Sequence, residues 1–174
     1  MSDTITATFS ADRRYRYFLK RDLGQLEQSN SHIQFIMLNP STADEVTNDR
    51  TVAKVTRWSA ARGYGTLWVT NLSPLRATNP QHMKAFGPEP QDIWDANIWA
   101  ILGAAKEADR IVVAWGTSGA WENRDKRICQ ALADLDLPPE KFWSFGLTKD
   151  GHPKHPLYLP NSLELQPFTL PTGD

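Results

Sequence analysis

The chain holds one cysteine, Cys129, in 174 residues, which excludes an internal disulfide and fits a reducing compartment. It has no apolar run long enough to span a bilayer, and its opening "MSDTITATFSADRR" lacks the basic-then-apolar order of a signal peptide. A cytoplasmic protein with no membrane partner is therefore expected. Net charge is scarce too. With 19 basic and 20 acidic residues the balance is −1, so nothing draws the whole molecule to nucleic acid, and contact with DNA or RNA would need a local basic surface. Two phosphate-binding signatures are missing: the Gly-rich turn closed by Lys and Ser/Thr, and G-x-G-x-x-G after a first strand. His152 and His155 are separated by Pro153 and have no Cys or carboxylate pair to complete a tetrahedral set. No metal and no cofactor are expected.

What is present is globular composition, 40% hydrophobic and 22% charged. No repeat or linker divides the chain, so residues 1–174 read as a single domain, with the tail after about residue 165 expected to be loose. Seven tryptophans are many for this length, and packing is the plain explanation for most. "RRYRYFLKRDL" (13–23) alternates basic and aromatic residues, the pattern of a strand at a sheet edge. "IQFIML" (33–38), "TLWVTN" (66–71), "RIVVAWG" (110–116) and "KFWSFG" (141–146) read as buried strands. Helices are expected in "NDRTVAKVTRWSAARGYG", capped by Asn48 or Asp49 and stopped at Gly63, in "QDIWDANIWAILGAAKEAD", and in "AWENRDKRICQALADLDL" up to Pro138-Pro139. Cys129 falls inside the apolar pattern of that last helix and reads as a small buried hydrophobe, not a nucleophile. The expected fold class is α/β: a three-layer α/β/α domain with a mainly parallel four-stranded central sheet and an N-terminal edge strand.

In such sheets ligands bind beyond the carboxyl ends of the strands. Here those ends carry the chain's polar clusters: "NPSTAD", "NLSPLRATNP", "WGTSGA" and "GLTKDGHPKHP". "WGTSGA" suits either a phosphate at a helix start or a tight strand-to-helix turn. The segment "TKDGHPKHPLYLP" places proline after both His152 and His155, which biases each toward extended backbone and lets the imidazole be aimed. Asn39, Asn71 and His155, with Asp44 and Asp49 nearby, are the groups able to make directed hydrogen bonds at this rim. Each also has a purely structural reading as a turn or cap residue. Arg76, Lys149 and Lys154 could supply local phosphate contacts.

The order "IMLNPST", "LWVTN", "VVAWGTSGA", "HPLYL" resembles that of the uracil-DNA glycosylase superfamily over roughly residues 33–160. "MLNPSTAD…ND" with "LTKDGHPKHPLYLP" is also similar to a bacterial and phage family described as a domain of unknown function. The superfamily resemblance implies a hydrolase of a nucleobase N-glycosidic bond, with DNA or a nucleotide as substrate. Asn39 would hold the attacking water, Asn71 would read the base edge, and His155 would hydrogen-bond the departing base. Trp115 and Gly116 would line the base pocket, and Leu159 would stand where a wedge enters the duplex. "HPLYL" departs from the "HPSP" of those enzymes, and "NPSTADEV" offers no aromatic platform for a flipped base, a place Trp115, Trp121 or Tyr158 would have to fill. The added carboxylates Asp44 and Asp49 imply a substrate other than plain uracil. The alternative reading is a module that binds a nucleotide or modified base in the same pocket without cutting it. The sequence leaves the oligomeric state open.

Overall fold

The structure is a computed structural model describing residues 6–24 and 29–171. It is a mixed α/β arrangement built on one seven-stranded sheet. The strands are β1 (Ala7–Phe9), β2 (Arg16–Asp22), β3 (His32–Met37), β4 (Thr66–Asn71), β5 (Arg110–Val113), β6 (Phe142–Ser144) and β7 (Gln166–Pro167), in the spatial order β1-β2-β4-β3-β5-β6-β7. The pairs β4–β3, β3–β5 and β5–β6 are parallel, whereas β1–β2, β2–β4 and β6–β7 are antiparallel. The helices are α1 (Arg50–Ala60), α2 (Pro80–Phe86), α3 (Gln91–Glu107) and α4 (Arg124–Ala133).

Alternation along β3 explains how the sheet is covered. Ile33, Phe35 and Met37 turn to one face and pack with Val52, Val55 and Trp58 of α1. Ile36 turns to the other and packs with Trp94 and Ile101 of α3 and Ile128 of α4. Successive side chains of a strand point to opposite faces, so a nearly all-apolar run suits a strand covered on both sides, and its one buried polar side chain, Gln34, donates to Thr70 Oγ1 and Ile101 O. Val112 and Val113 of β5 divide between the faces in the same way.

Four expectations are corrected. The basic-aromatic strand is not at the edge: β2 lies between β1 and β4, because Ala7–Phe9 folds back on it as a hairpin. Residues 166–168 of the expected loose tail are tied to the sheet, since β7 pairs with β6 and Phe168 N–H donates to the Phe142 carbonyl. The last helix begins only at Arg124, because Glu122 and Asn123 take positive φ (56° and 52°) and break the preceding 3-10 segment Thr117–Asn123. The proline-rich loop after β4 contains a short helix, α2, whose N-cap Asn79 accepts from the His82 N–H with Pro80 at the first helical position. No helix among the described residues is long and apolar enough to cross a membrane.

Candidate functional site

Because β3, β4, β5 and β6 run parallel, Asn39, Asn71, Trp115-Gly116 and the histidine loop all lie beyond the same ends of the sheet. Two cross-links tie the segments together: Ser73 N–H donates to Leu38 O, and Gly116 N–H donates to Pro153 O. Gly116 has φ 71° and its α-carbon faces His155, so a β-carbon there would stand 3.4 Å from the His155 Cβ. Glycine suits both the left-handed backbone and the close approach.

His155 caps a 3-10 turn, Pro156–Tyr158, and its Nδ1 accepts from the Leu157 N–H at 3.3 Å. That bond sets the tautomer, because a ring nitrogen that accepts leaves the proton on the other, Nε2. Burial pushes the imidazole pKa down to about 4; the charge of Asp49 opposes the shift and that of Lys54 adds to it. His155 at neutral pH is therefore an uncharged Nε2–H donor. Asp49 is the N-cap of α1, one carboxylate oxygen accepting from Val52 N–H at 2.8 Å. Lys54, one turn further on, donates to the carbonyls of Leu157 and Leu159 and pins the histidine loop to α1.

Asn71 is buried, and its Oδ1 accepts from Arg16 Nη2 at 3.2 Å, while Arg16 Nη1 donates to Ala43 O at 3.1 Å. Arg16 has 1% of its surface exposed, and among the described residues its Nε has no partner. Burial lowers its pKa to about 10, with the charge of Asp49 opposing. An arginine can only donate, so it fixes which way the Asn71 amide faces: oxygen toward Arg16, Nδ2 away. Asn97 holds the same residue from behind, donating from Nδ2 to Asn71 O at 2.9 Å. Asn39 is oriented in the opposite sense. Its Nδ2 donates to Ala77 O (2.8 Å) and Pro40 O (3.0 Å), and among the described residues its Oδ1 has no donor.

His155 is thus set against Gly116 and within the charge of Asp49 and Lys54, Asn71 is bonded to Arg16, on which the charge of Asp49 also acts, and Asn39 is held to the loop after β4 through Ala77. Other expected residues lie apart. Trp115 packs on the opposite face of the sheet, 2% exposed, with Gly119 seated so close that a β-carbon would fall 2.1 Å from its Cδ1. Asp44 folds into its own turn, accepting from Val46 and Thr47 N–H, bonds that hold its carboxyl below the usual range. Tyr158 is exposed, and Leu159 packs beside α1 in the apolar cluster. Arg76 donates to Arg13 O and Thr42 O and lies over the Phe9 ring. Lys149 is exposed and Lys154 half-buried. Among the described residues no group of three or more His, Cys, Asp or Glu could hold a metal. Behind the histidine loop, between Lys54, Phe145 and Pro156, the free space is about 10 Å³; a cavity of about 390 Å³ lies elsewhere, at the opposite end of the sheet.

A family model described as "Protein of unknown function (DUF1643)" matches residues 16–157. The chain belongs to the DUF1643 family. The match to DUF1643 opens on Arg16 and closes just after His155, so it contains every residue of the cluster above. No curated protein and no solved structure matches the chain.

Arg16 is the residue that sequence reasoning missed. Simple alternation over "RRYRYFLKRDL" sends position 16 to the side opposite Leu19. A bulge intervenes: Phe9 pairs with Arg16 and Thr8 with Phe18, so Tyr17 is skipped and Arg16 shares the α1 face with Leu19. On the other face, Arg124 and Glu89 form a buried ion pair that also holds Ser73 Oγ and Leu72 O. Glu89 gave no sequence signal beyond its place in "GPEP", and Arg124 looked like one charge among several on a helix.

Proposed function

We propose that the rim hydrolyses the N-glycosidic bond of a nucleobase, in nucleic acid or in a nucleotide. The observation that carries this reading is the His155 imidazole, held uncharged with Nδ1 occupied and, among the described residues, no partner on Nε2–H, within the field of the Asp49 carboxylate. A base leaving as an anion needs a directed donor, and a neutral imidazole donates without first having to gain a proton. Asn39, its nitrogen committed to Ala77 and Pro40, offers Oδ1 to a water. The carbon–nitrogen bond breaks first, its electron pair leaving with the base; the water's oxygen then forms the new bond to the anomeric carbon, and its proton ends on the released base. Asp49 supplies negative charge to the sugar cation that develops between those events. Asn71, its oxygen turned to Arg16, presents a donor, which matches a base edge carrying an oxo group. Arg76, Lys149 and Lys154 are the phosphate contacts of the reading.

Three further supports are of a coarser kind. The motif order resembles that of the uracil-DNA glycosylase superfamily. The fold reads as a three-layer α/β/α frame, α1 on one face of four parallel strands and α3 and α4 on the other, the frame in which ligands bind at strand ends. The single cysteine fits a cytoplasmic enzyme. A second reading, binding without cleavage, is favoured by the engagement of both asparagines in structural hydrogen bonds.

The test is to incubate the chain with duplexes and single strands carrying uracil, mismatched or modified bases, and with free nucleotides, and to measure released base by chromatography. Release by wild type and a loss of about 100-fold or more in His155→Ala is expected, the usual scale for removing a catalytic proton donor. Salt-dependent binding with no release would favour the second reading. Equal release by wild type, His155→Ala and Asn39→Ala would overturn the first.

A further inference from the structure

At the amino ends of the parallel strands, opposite the rim, is the cavity of about 390 Å³. Its walls come from distant segments: Trp58 and Arg62 at the end of α1, Tyr64 before β4, Arg110 at the start of β5, Trp143 in β6 and Glu164 near the tail. That volume is of the class that receives a small organic ligand, and its mixture of aromatic faces with a few charged groups is what such sites use.

The two arginines are displayed differently. The Arg62 guanidinium lies 4.0 Å from the centre of the Trp58 ring and is ion-paired with Glu164. Arg110 lies 4.4 Å from the centre of the Trp143 ring, and among the described residues it pairs with no carboxylate; its polar neighbour is the Tyr64 hydroxyl. Arg62 is committed, its Nε and Nη2 to Glu164 and its Nη1 to Trp58 O, whereas stacking on indole pins the Arg110 guanidinium plane with no carboxylate on its N–H fork, the geometry that receives a carboxylate or phosphate through two parallel bonds. Two cations and one carboxylate line the cavity, so its walls carry one surplus positive charge.

We infer that this cavity binds a small planar aromatic anion, its carboxylate or phosphate on Arg110 and its ring against the arginine–indole stacks. An aryl carboxylate and a mononucleotide share that chemistry. The inference is independent of the rim and of His155.

Calorimetric titration of the full chain tests it, with benzoate and uridine 5′-monophosphate as anions and benzamide and uridine as their uncharged counterparts. At least one anion is expected to bind tenfold or more tightly than its counterpart, and which one binds separates the two sources. Arg110→Gln should weaken that binding at least tenfold, and Arg110→Lys, which keeps the charge but not the fork, should restore only part of it. Glu164→Gln, at an exposed position, removes opposing charge and should tighten binding about threefold. His155→Ala should leave it unchanged. No binding of either anion, equal binding of anion and neutral counterpart, or an affinity untouched in both Arg110→Gln and Glu164→Gln would overturn the inference; loss of binding in His155→Ala would move the ligand to the rim and overturn it equally.

Discussion

Arg16 and Arg124 are both buried, at 1% and 2% exposed, and both grip the end of β4, from opposite faces of the sheet. Arg124 donates to Leu72 O, closes an ion pair with Glu89, and is flanked by the rings of Trp94 and Trp121. Among the described residues Arg16 has no carboxylate in hydrogen-bond reach. It is held by an amide oxygen and a backbone carbonyl, with Asp49 acting only through space. The two arginines therefore do different work. A buried charge neutralised by a bonded partner locks a structure, and its removal strands the partner. A buried charge without such a partner keeps an outward field, and here that field reaches Asp49.

The sharpest way to break this comparison is Glu89→Ala, which leaves Arg124 buried and unpaired. It should cost about 3–5 kcal/mol of stability, the usual scale for half of a buried pair, read as a lowered urea midpoint with an unchanged slope.

The next effect is set by pH. Burial holds His155 at about 4 in the folded chain, against an ordinary value of 6.5. Between those values the unfolded chain binds a proton that the folded chain does not, so stability is full above pH 6.5 and falls as pH drops toward 4, by up to about 3 kcal/mol. Urea titrations across that window should show a flatter profile for His155→Gln. A parallel profile would mean that the imidazole is not held neutral.

Arg16→Met should be the mildest for stability, about 1–3 kcal/mol, since it strands the acceptors Asn71 Oδ1 and Ala43 O but no opposite charge. It should nevertheless abolish base release, because the Asn71 amide is then free to turn. If it destabilises as much as Glu89→Ala, or leaves release intact, the distinction between the two arginines fails.

Much of the frame could be read before any coordinates. The runs Ile33–Leu38 and Ile111–Trp115 are apolar except for Gln34, a pattern that suits a strand covered on both faces, and Asp49 stands where a helix start needs an acceptor. The short helix α2 was hidden because its seven residues bury only Met83 and show no clear stripe. Among the candidate residues, the cap role of Asp49 and the extended turn at His155 were legible because a cap and an X-Pro turn are local features. The placement of Trp115 was not. Its neighbours in sequence are equally apolar, and which face it takes depends on the count of residues from the sheet, not on its own chemistry.

By itself the chain dictated an α/β domain whose polar clusters follow its buried strands, since apolar periodicity and cap chemistry act over a few residues. Only the tertiary structure decided that Arg16 enters the interior, that Asn71 shows its nitrogen and Asn39 its oxygen, and that Arg110 meets Trp143. Those outcomes rest on a single skipped residue in β2 and on contacts between segments tens of residues apart, where desolvation and pairing depend on neighbours that no local pattern specifies.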